Sequence, residues 1–352
     1  MRGGCPYHCR VEHVGDHLDK ENYGQLAAAV QSVRIAGRVT RRLQQSLQGS
    51  FLTKEDRSPV TVADYAAQAL VSLTLPPGEA IVGEETAEAL GAPGGREVLD
   101  QVAHAVRSEL PDVTAADVRA AIDRCSDAGG ASGRFWVLDP IDGTKGFLRG
   151  DQYAIALGLM EDGAVVGGVL GCPNLPSDTG RGCLFVAARG RGAWELPFDE
   201  DRGTARRIGV SAVAASGDAA FCESAEAMHS DRDRHARIAL RLGVTAPPVR
   251  MDSQCKYGAI ARGDASIYLR LPSSRTYREK IWDHAAGFIV VSEAGGAVTD
   301  AYGRNLDFSR GRTLDGNRGV VATNGRLHGV VLDAAAAVLP QNPAVMPSNP
   351  ES

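Results

Sequence analysis

Acidic side chains follow two short apolar segments of this chain, at the points where predicted strands end. Glu84 and Glu85 follow the first segment, and Asp139 and Asp142 follow the second. Rigid sheets commonly hold ligand-binding residues at such ends. Ionised carboxylates that lie close together repel and raise one another's pKa, and a bound divalent cation removes that conflict. Carboxylate and carbonyl oxygens are ligands that Mg²⁺ prefers, so the pattern predicts a magnesium site.

The segment Asp139–Thr144 reads DPIDGT and is the more informative of the two. Pro140 restricts the residue before it to an extended conformation, and Gly143 permits a tight turn. Such a turn could aim both aspartates and the Ile141 carbonyl at one point. The same residues are also typical of an ordinary surface turn, and that alternative stays open for the segment taken alone.

Two further aspartates lie near the starts of predicted helices. Asp64 ends the segment SPVTVAD, and Asp283 lies in IWDHAAG. A lone aspartate at such a place usually caps the helix or pairs with its dipole. Four separate acidic elements in one chain favour a shared site over unrelated local roles as caps and turns.

The spacing of apolar residues predicts the elements that must position these acids. A three- and four-residue spacing from Leu26 to Leu47 predicts a long amphipathic helix. A second helix follows Pro59, with Asp64 in its first turn. Residues 86–133 are predicted to form a helical insertion that ends in a glycine-rich loop. Closely spaced strands up to residue 196 predict an antiparallel meander.

The pattern changes near residue 205, beyond which short strands alternate with helices. We therefore predict an α+β half that carries most of the acids and an α/β half after it. The predicted units are a flexible N-terminal extension (1–21), the α+β half (22–205), the α/β half (206–340) and a disordered tail (341–352).

Composition excludes several classes of protein. The chain has 352 residues, of which 43% are hydrophobic and 23% charged, as in an ordinary globular protein. A formal net charge of −5 argues against a nonspecific nucleic-acid partner. No apolar stretch approaches the roughly 20 residues that cross a bilayer, so no membrane partner is expected. A cytoplasmic location is expected, with chloroplast and mitochondrion as alternatives.

The seven cysteines suggest neither a disulfide framework nor a zinc site. Cys125 precedes a glycine-rich loop, and Cys172 follows a predicted strand, so both thiols are expected to be exposed. A monomer is expected, and a redox-linked dimer through such thiols is the alternative.

The ordered acidic elements together resemble the lithium-sensitive, magnesium-dependent phosphatase superfamily. It contains inositol monophosphatase, inositol polyphosphate 1-phosphatase, fructose 1,6-bisphosphatase and the bisphosphate nucleotidases. The closer resemblance, over roughly residues 22–338, is to the eukaryotic 3′(2′),5′-bisphosphate nucleotidases. It is carried by Ser58–Asp64, Trp136–Tyr153, Asp252–Tyr257, Tyr268–Pro272 and Tyr277–Gly287.

The resemblance implies a layered αβαβα sandwich with the site between the two halves and two or three Mg²⁺ ions. It implies that Glu84, Asp139 and the Ile141 carbonyl hold one ion, and that Asp139, Asp142 and Asp283 hold a second. Thr144, oriented by Asp64, would help to deprotonate the attacking water. The residues that would bind the substrate are His229, Ser253, Lys256, Arg270 and Asp283.

Two positions depart from the resemblance. Arg232 stands where a second histidine often follows the one at His229, which puts the substrate contact of that segment in doubt. Cys255 stands where alanine is expected, beside Lys256. A neighbouring cation can make a thiol reactive, but a small buried packing residue is the plainer interpretation.

The implied activity is hydrolysis of the 3′-phosphate of 3′-phosphoadenosine 5′-phosphate to AMP and phosphate. 3′-Phosphoadenylyl sulfate and inositol 1,4-bisphosphate are further expected substrates. The nearest alternative is an inositol polyphosphate 1-phosphatase or inositol monophosphatase, since the metal site is shared. A catalytically silent nucleotide-binding sensor would have lost a ligand, and every acidic position is present.

Overall fold

The computed structural model describes residues 20–48, 58–178, 180–199, 204–225, 229–272, 274 and 276–340. The helices are α1 (Lys20–Gln48), α2 (Ser58–Thr74), α3 (Gly95–Arg107), α4 (Ala115–Asp123), α5 (Thr144–Arg149), α6 (His229–Leu242), α7 (Cys255–Arg262), α8 (Ala285–Glu293) and α9 (His328–Ala336). Helix α1 begins at Lys20, inside the predicted N-terminal extension. The rest of that extension, and the predicted tail, lie outside the described residues.

Two sheets are formed by the described residues. The first has the order β1-β2-β3-β4-β5-β6-β7, and the second has the order β11-β12-β10-β8-β9. The strands are β1 (Ala80–Gly83), β2 (Arg134–Asp142), β3 (Ala154–Glu161), β4 (Ala164–Ser177), β5 (Gly180–Ala188), β6 (Gly192–Pro197), β7 (Arg206–Ile208), β8 (Phe221–Glu223), β9 (Val249–Arg250), β10 (Ile267–Arg270), β11 (Ala297–Thr299) and β12 (Val320–Thr323).

Helices and sheets alternate in five layers. Helices α1 and α2 cover one face of the first sheet, and α7 and α8 cover the other. The same α7 and α8 pack against the second sheet, whose outer face carries α6 and α9. Three clusters of buried apolar side chains lie within these layers. The predicted αβαβα sandwich is thus confirmed.

The first sheet is the predicted meander, with one parallel pair at its edge. Strands β1 and β2 are parallel, and β2 through β7 pair antiparallel in sequence order. Both faces of this sheet are covered by helices, which explains why β3 is a nearly continuous apolar run. Strand β7 belongs to this sheet although it follows residue 205, and the division into two halves at that point stays a prediction.

Two glycines let α8 approach the first sheet closely. A Cβ at Gly158 would lie 2.8 Å from the Ala285 Cβ, and one at Gly168 would lie 2.7 Å from the Ile289 Cγ2. Larger side chains at either strand position would push the helix outward. Because Asp283 lies just before α8, these glycines fix its distance from the sheet.

The expectation that Cys125 and Cys172 are exposed is wrong. Cys125 is 1% exposed, and burial raises the pKa of its thiol to about 12. Cys172 is fully buried because β4 runs on to Ser177, so that this residue lies within a central strand instead of after it. Among the cysteines that the structure describes, all are buried. A redox-linked dimer therefore has no accessible thiol in that part of the chain.

Within the described ranges, no helix is both long and apolar enough to cross a membrane.

Candidate functional site

Parallel pairing of β1 with β2 brings the first two acidic segments side by side. Gly83 pairs with Leu138, and the Glu84 amide continues the ladder by donating to the Leu138 carbonyl at 3.2 Å. Parallel strands end at the same edge of a sheet, so Glu84 and Asp139 come to adjacent positions. The Glu84 carboxylate is close enough to Asp139 to raise the pKa of that buried aspartate.

A β-bulge in β2 turns Asp139 and Asp142 toward the same side of the sheet. Side chains three positions apart on a regular strand point to opposite faces. Here Asp139 pairs with Ala156 and Asp142 pairs with Ala154, so the strand carries one extra residue between the two aspartates. Pro140, which has no N–H to donate, lies inside this irregularity. The segment that resembled a surface turn is thus the end of a buried strand.

Asp64 and Asp283 reach the same place from two helical regions. Asp64 lies in the second turn of α2, since the helix begins at Ser58, and not in the predicted first turn. Its side chain is 8% exposed. Asp283 lies two residues before α8, the helix that packs between the two sheets. Both carboxylates act electrostatically on Asp139, which establishes that all four acidic segments converge.

Burial and the neighbouring negative charges raise the pKa of Asp139, Glu84 and Asp64. The pKa of Asp139 is raised well above its usual range by burial and then by Asp142 and Glu84. Glu84 is exposed at the end of β1, but partial burial of its carboxylate and then the charge of Glu85 raise its pKa to about 7. The pKa of Asp64 is raised by burial, then by Glu85 and Glu84. Full ionisation of these carboxylates is therefore unfavourable unless a cation binds among them.

A divalent cation fits this arrangement. Asp139 is 2% exposed, and its Oδ1 has no hydrogen-bond partner among the described residues. An orphaned, buried carboxylate oxygen among other carboxylates has the donor chemistry that hard cations such as Mg²⁺ select. The other carboxylates of this cluster are Glu84, Asp142 and Asp283, of which Asp142 and Asp283 each also accept a hydrogen bond through Oδ2.

A second cluster lies next to the first and already holds a positively charged side chain, that of Arg270. One ligand atom each of Glu279, Asp283 and His284 lies within 4.8 Å of the others. The Arg270 guanidinium fills this group: its Nε lies 2.8 Å from Glu279 Oε2, and its Nη2 donates to Asp283 Oδ2 at 2.9 Å. Arg270 is therefore held against the acidic cluster, with Nη2 also 3.1 Å from the Tyr277 hydroxyl.

The partners of Glu279 are themselves buried and hydrogen-bonded. Its Oε2 lies 3.2 Å from His284 Nε2, and His284 Nδ1 lies 2.7 Å from the Tyr257 hydroxyl. His284 and Glu279 are 0% and 4% exposed. Sequence analysis did not single out Glu279, His284 or Tyr257. The available signal was that all three lie within two of the five segments that carry the resemblance.

The loop before α7 joins the second half of the chain to the bulged strand. The Gln254 amide donates to Asp142 Oδ2 at 2.5 Å. Ser253 has a left-handed backbone (φ 68°), and its hydroxyl accepts from the Cys255 amide at 3.2 Å, at the start of α7. Gly143 packs so closely that a Cβ there would lie 2.7 Å from the Ser253 Cβ. Ser253 therefore lies directly against the DPIDGT segment.

Lys256 is a buried cation at this junction. It is 4% exposed, and its Nζ lies 5.3 Å from the ring centroid of Tyr268. Burial lowers its pKa, while Asp142 opposes that shift. Cys255 next to it is fully buried, and its thiol donates to the Tyr153 carbonyl at 3.3 Å, as expected of a packing residue.

The remaining predicted site residues are Thr144, Ile141 and His229. Thr144 is exposed at the start of α5, directly after the bulged strand. The Ile141 side chain is buried in the core beneath the site. His229 begins α6, but its side chain and that of Arg232 lie outside the described residues.

A separate cavity of about 930 Å³ lies between α1, α2 and α3. Its lining is largely apolar and includes Leu43, Leu47 and Val62. None of the converging carboxylates borders it. Its size alone gives no reason to connect it with the acidic chemistry.

The chain matches the model of the inositol monophosphatase family over residues 19–339. A rice (Oryza sativa) protein named 3′(2′),5′-bisphosphate nucleotidase is 48% identical, covering 92% of this chain and 97% of that protein. A protein of the same name from Emericella nidulans is 44% identical, covering 88% and 96%. One from Schizosaccharomyces pombe is 41% identical, covering 90% and 96%.

Solved structures show the same fold at lower identity. The extragenic suppressor protein SuhB from Bartonella henselae matches with a TM-score of 0.60 and 22% identity, covering 89% of this chain and 99% of that one. CysQ from Bacteroides thetaiotaomicron, described as a bacterial member of the inositol monophosphatase family, has a TM-score of 0.60 and 18% identity, covering 86% and 97%.

Proposed function

This chain belongs to the inositol monophosphatase family, and we propose that it hydrolyses the 3′-phosphate of 3′-phosphoadenosine 5′-phosphate, giving AMP and phosphate. The proposed substrate is supported by the 48% identity, over nearly the whole chain, to a protein named for that reaction. The proposed chemistry is supported by Asp139, whose buried Oδ1 has no hydrogen-bond partner among the described residues and which interacts with the other carboxylates of the cluster.

Metal dependence is typical of the family, and we propose Mg²⁺, in two or three ions. The residues that would hold it are Glu84, Asp139, Asp142, Asp283 and the Ile141 carbonyl. Bound Mg²⁺ supplies an activated water and stabilises the charge that develops on the leaving oxygen. A phosphate monoester carries negative charge, so bound cations would be needed for the acidic cluster to accept it.

Thr144 and Asp64 are proposed to take the proton of the attacking water. Asp64 is a buried carboxylate beside the acidic cluster, and carboxylates commonly act as general bases. Thr144 begins α5 immediately after the bulge, where its hydroxyl is accessible. The relay requires the two side chains to act together, with the hydroxyl passing the proton toward the carboxylate.

Lys256, Arg270, Ser253 and His229 are proposed to bind the nucleotide. Glu279 holds the Arg270 Nε, and no described residue accepts from the Nη1 of that guanidinium. That nitrogen and the Lys256 ammonium are two donors suited to the phosphate that is not cleaved. The contact of the His229 segment stays a prediction, as do the cytoplasmic location and the monomeric state.

A phosphate-release panel at saturating Mg²⁺ tests the assignment. The substrates are 3′-phosphoadenosine 5′-phosphate, 3′-phosphoadenylyl sulfate, inositol 1,4-bisphosphate and inositol 1-phosphate, with AMP as the negative control. The first is expected to have the highest kcat/KM, and AMP is expected to release no phosphate. Preference for an inositol phosphate would assign the alternative activity. Nucleotide binding without any phosphate release would identify a silent sensor.

A further inference from the structure

Arg312 is anchored beside the segment that ends in Asp283. The Ile281 amide donates to the Arg312 carbonyl at 3.2 Å, and the Leu314 amide donates to the Glu279 carbonyl at 2.9 Å. These bonds pair residues 279–281 with residues 312–314 in the manner of two short strands. The backbone of Arg312 is therefore fixed relative to Trp282 and Asp283.

The Arg312 side chain crosses to the first half of the chain. Its Nη2 donates to the Gly83 carbonyl at the end of β1, and its Nη1 donates to the Asp127 carbonyl at 3.0 Å. On the way, its guanidinium carbon lies 4.8 Å from the ring centroid of Trp282. Arg312 forms no ion pair with a described residue, so its contacts are to backbone and to an aromatic face.

Those contacts touch the residues directly before two acidic residues. The Gly83 carbonyl belongs to the same peptide group as the Glu84 amide, and that amide is itself held by the Leu138 carbonyl. Trp282 is covalently followed by Asp283. We propose that Arg312 is a positioning residue that sets the separation of Glu84 from Asp283, and thereby the size of the cation site.

This inference rests on the proposed function, because a positioning role requires that the site binds a cation. The contacts of Arg312 are observed in this chain and do not depend on that function. Arginine suits the role because a planar fork can donate to two carbonyls while its face lies on an aromatic ring. A lysine at the same position keeps the charge but has one compact ammonium. Arg312→Lys therefore separates geometry from charge.

The test measures binding of Mg²⁺ and of Ca²⁺ to nucleotide-free protein by calorimetry. The variants are Arg312→Lys and Arg312→Met, with Arg310→Met as the matched control, because Arg310 is exposed and pairs only with Asp307 among the described residues. Loss of a residue that supports metal ligands typically weakens metal affinity by roughly ten- to hundredfold. We expect that loss for Mg²⁺ in both Arg312 variants and none in the control.

The comparison of the two ions distinguishes positioning from general loosening. Mg²⁺ requires oxygen ligands at about 2.0–2.1 Å in a near-octahedral arrangement, whereas Ca²⁺ tolerates about 2.3–2.6 Å and irregular geometry. Arg312→Lys should therefore lose much more Mg²⁺ affinity than Ca²⁺ affinity. Equal losses of both ions, together with a lower melting temperature in EDTA, would overturn the inference, as would unchanged Mg²⁺ affinity in a folded variant.

Two further outcomes distinguish a failure of the Arg312 inference from a failure of the proposed function. If Arg312→Met does not fold, Arg312→Lys carries the experiment alone. If the wild-type protein released no phosphate from any nucleotide, the proposed function would fail. A selective loss of Mg²⁺ affinity in Arg312→Lys would still support the positioning role in that case.

Discussion

Replacing Asp139 by asparagine is expected to stabilise the metal-free protein while abolishing phosphate release. Asp139 is 2% exposed, its Oδ1 has no partner among the described residues, and burial and Asp142 raise its pKa. A carboxyl group whose pKa is raised by folding binds its proton more tightly in the folded state. It therefore destabilises the fold progressively as pH rises above its unfolded value of about 3.9.

The magnitude follows from the uncompensated charge. A buried polar group without partners costs about 1–3 kcal/mol, and more when it is charged. Asparagine keeps part of that cost but removes the repulsion, so we expect a gain of about 2 kcal/mol at pH 8 in EDTA. For a chain of this length, that is a rise in melting temperature of roughly 2–5 °C. The gain should shrink toward pH 5.

Mg²⁺ should act in the opposite direction. A ligand present at 100 times its dissociation constant stabilises the protein that binds it by about 2.7 kcal/mol. Wild type should gain this amount, and Asp139→Asn should gain less because an oxygen ligand has been lost. The difference between the two proteins in EDTA should therefore disappear or reverse in Mg²⁺.

The assay is thermal unfolding, followed by circular dichroism at pH 5, 6.5 and 8, in EDTA and in Mg²⁺. Asp123→Asn is the control, because that carboxylate is 59% exposed and lies 3.9 Å from Arg119 in an ordinary surface pair. It should change stability by less than about 0.5 kcal/mol. If Asp139→Asn were less stable than wild type in EDTA at pH 8, the carboxylate would be stabilised without a cation, and the reasoning would be refuted.

The remaining predictions concern catalysis, binding and thiols. Thr144→Ala should lower kcat with little change in KM in steady-state kinetics, because its hydroxyl acts during proton transfer; a raised KM alone would make it a binding residue. Arg270→Ala should raise KM for the adenosine bisphosphate roughly ten- to hundredfold, a charged contact of about 1.5–3 kcal/mol. A collapsed kcat with unchanged KM would instead assign Arg270 to the chemistry. Cys125 and Cys172 should not react with a thiol reagent at pH 8 until urea unfolds the chain, as mapped by mass spectrometry; rapid labelling of the native protein would contradict their burial.

Local patterns in the sequence predicted many of the helices and strands, because the formation of these elements depends largely on residues that are neighbours in the chain. The apolar spacing from Leu26 to Leu47 predicted α1, and the run of short strands predicted the meander of the first sheet. The acidic segments were likewise recognisable, since residue type and order are properties of the sequence. The αβαβα fold came from the resemblance, and it is confirmed.

Exposure was the property that local pattern predicted least well. Cys172 follows a predicted strand that in fact continues through Pro173 to Ser177, and the layers above and below bury it. Asp139–Thr144 has the composition of a turn, yet its first half is a bulged strand with a buried carboxylate. Burial depends on what packs against a segment, and those contacts come from distant parts of the chain.

The sequence alone determined which side chains carry charge and which of them lie at the ends of helices and strands. Only the tertiary structure decided which of those charges meet. The parallel register that sets Glu84 beside Asp139 and the bulge that turns Asp142 to the same side are made by pairing between strands. The Arg270 clamp on Glu279 and Asp283, and the reach of Arg312 to Gly83, likewise join segments separated along the chain. Such contacts leave no periodic signal in the sequence, because their energy depends on distance in space and not on spacing along the backbone.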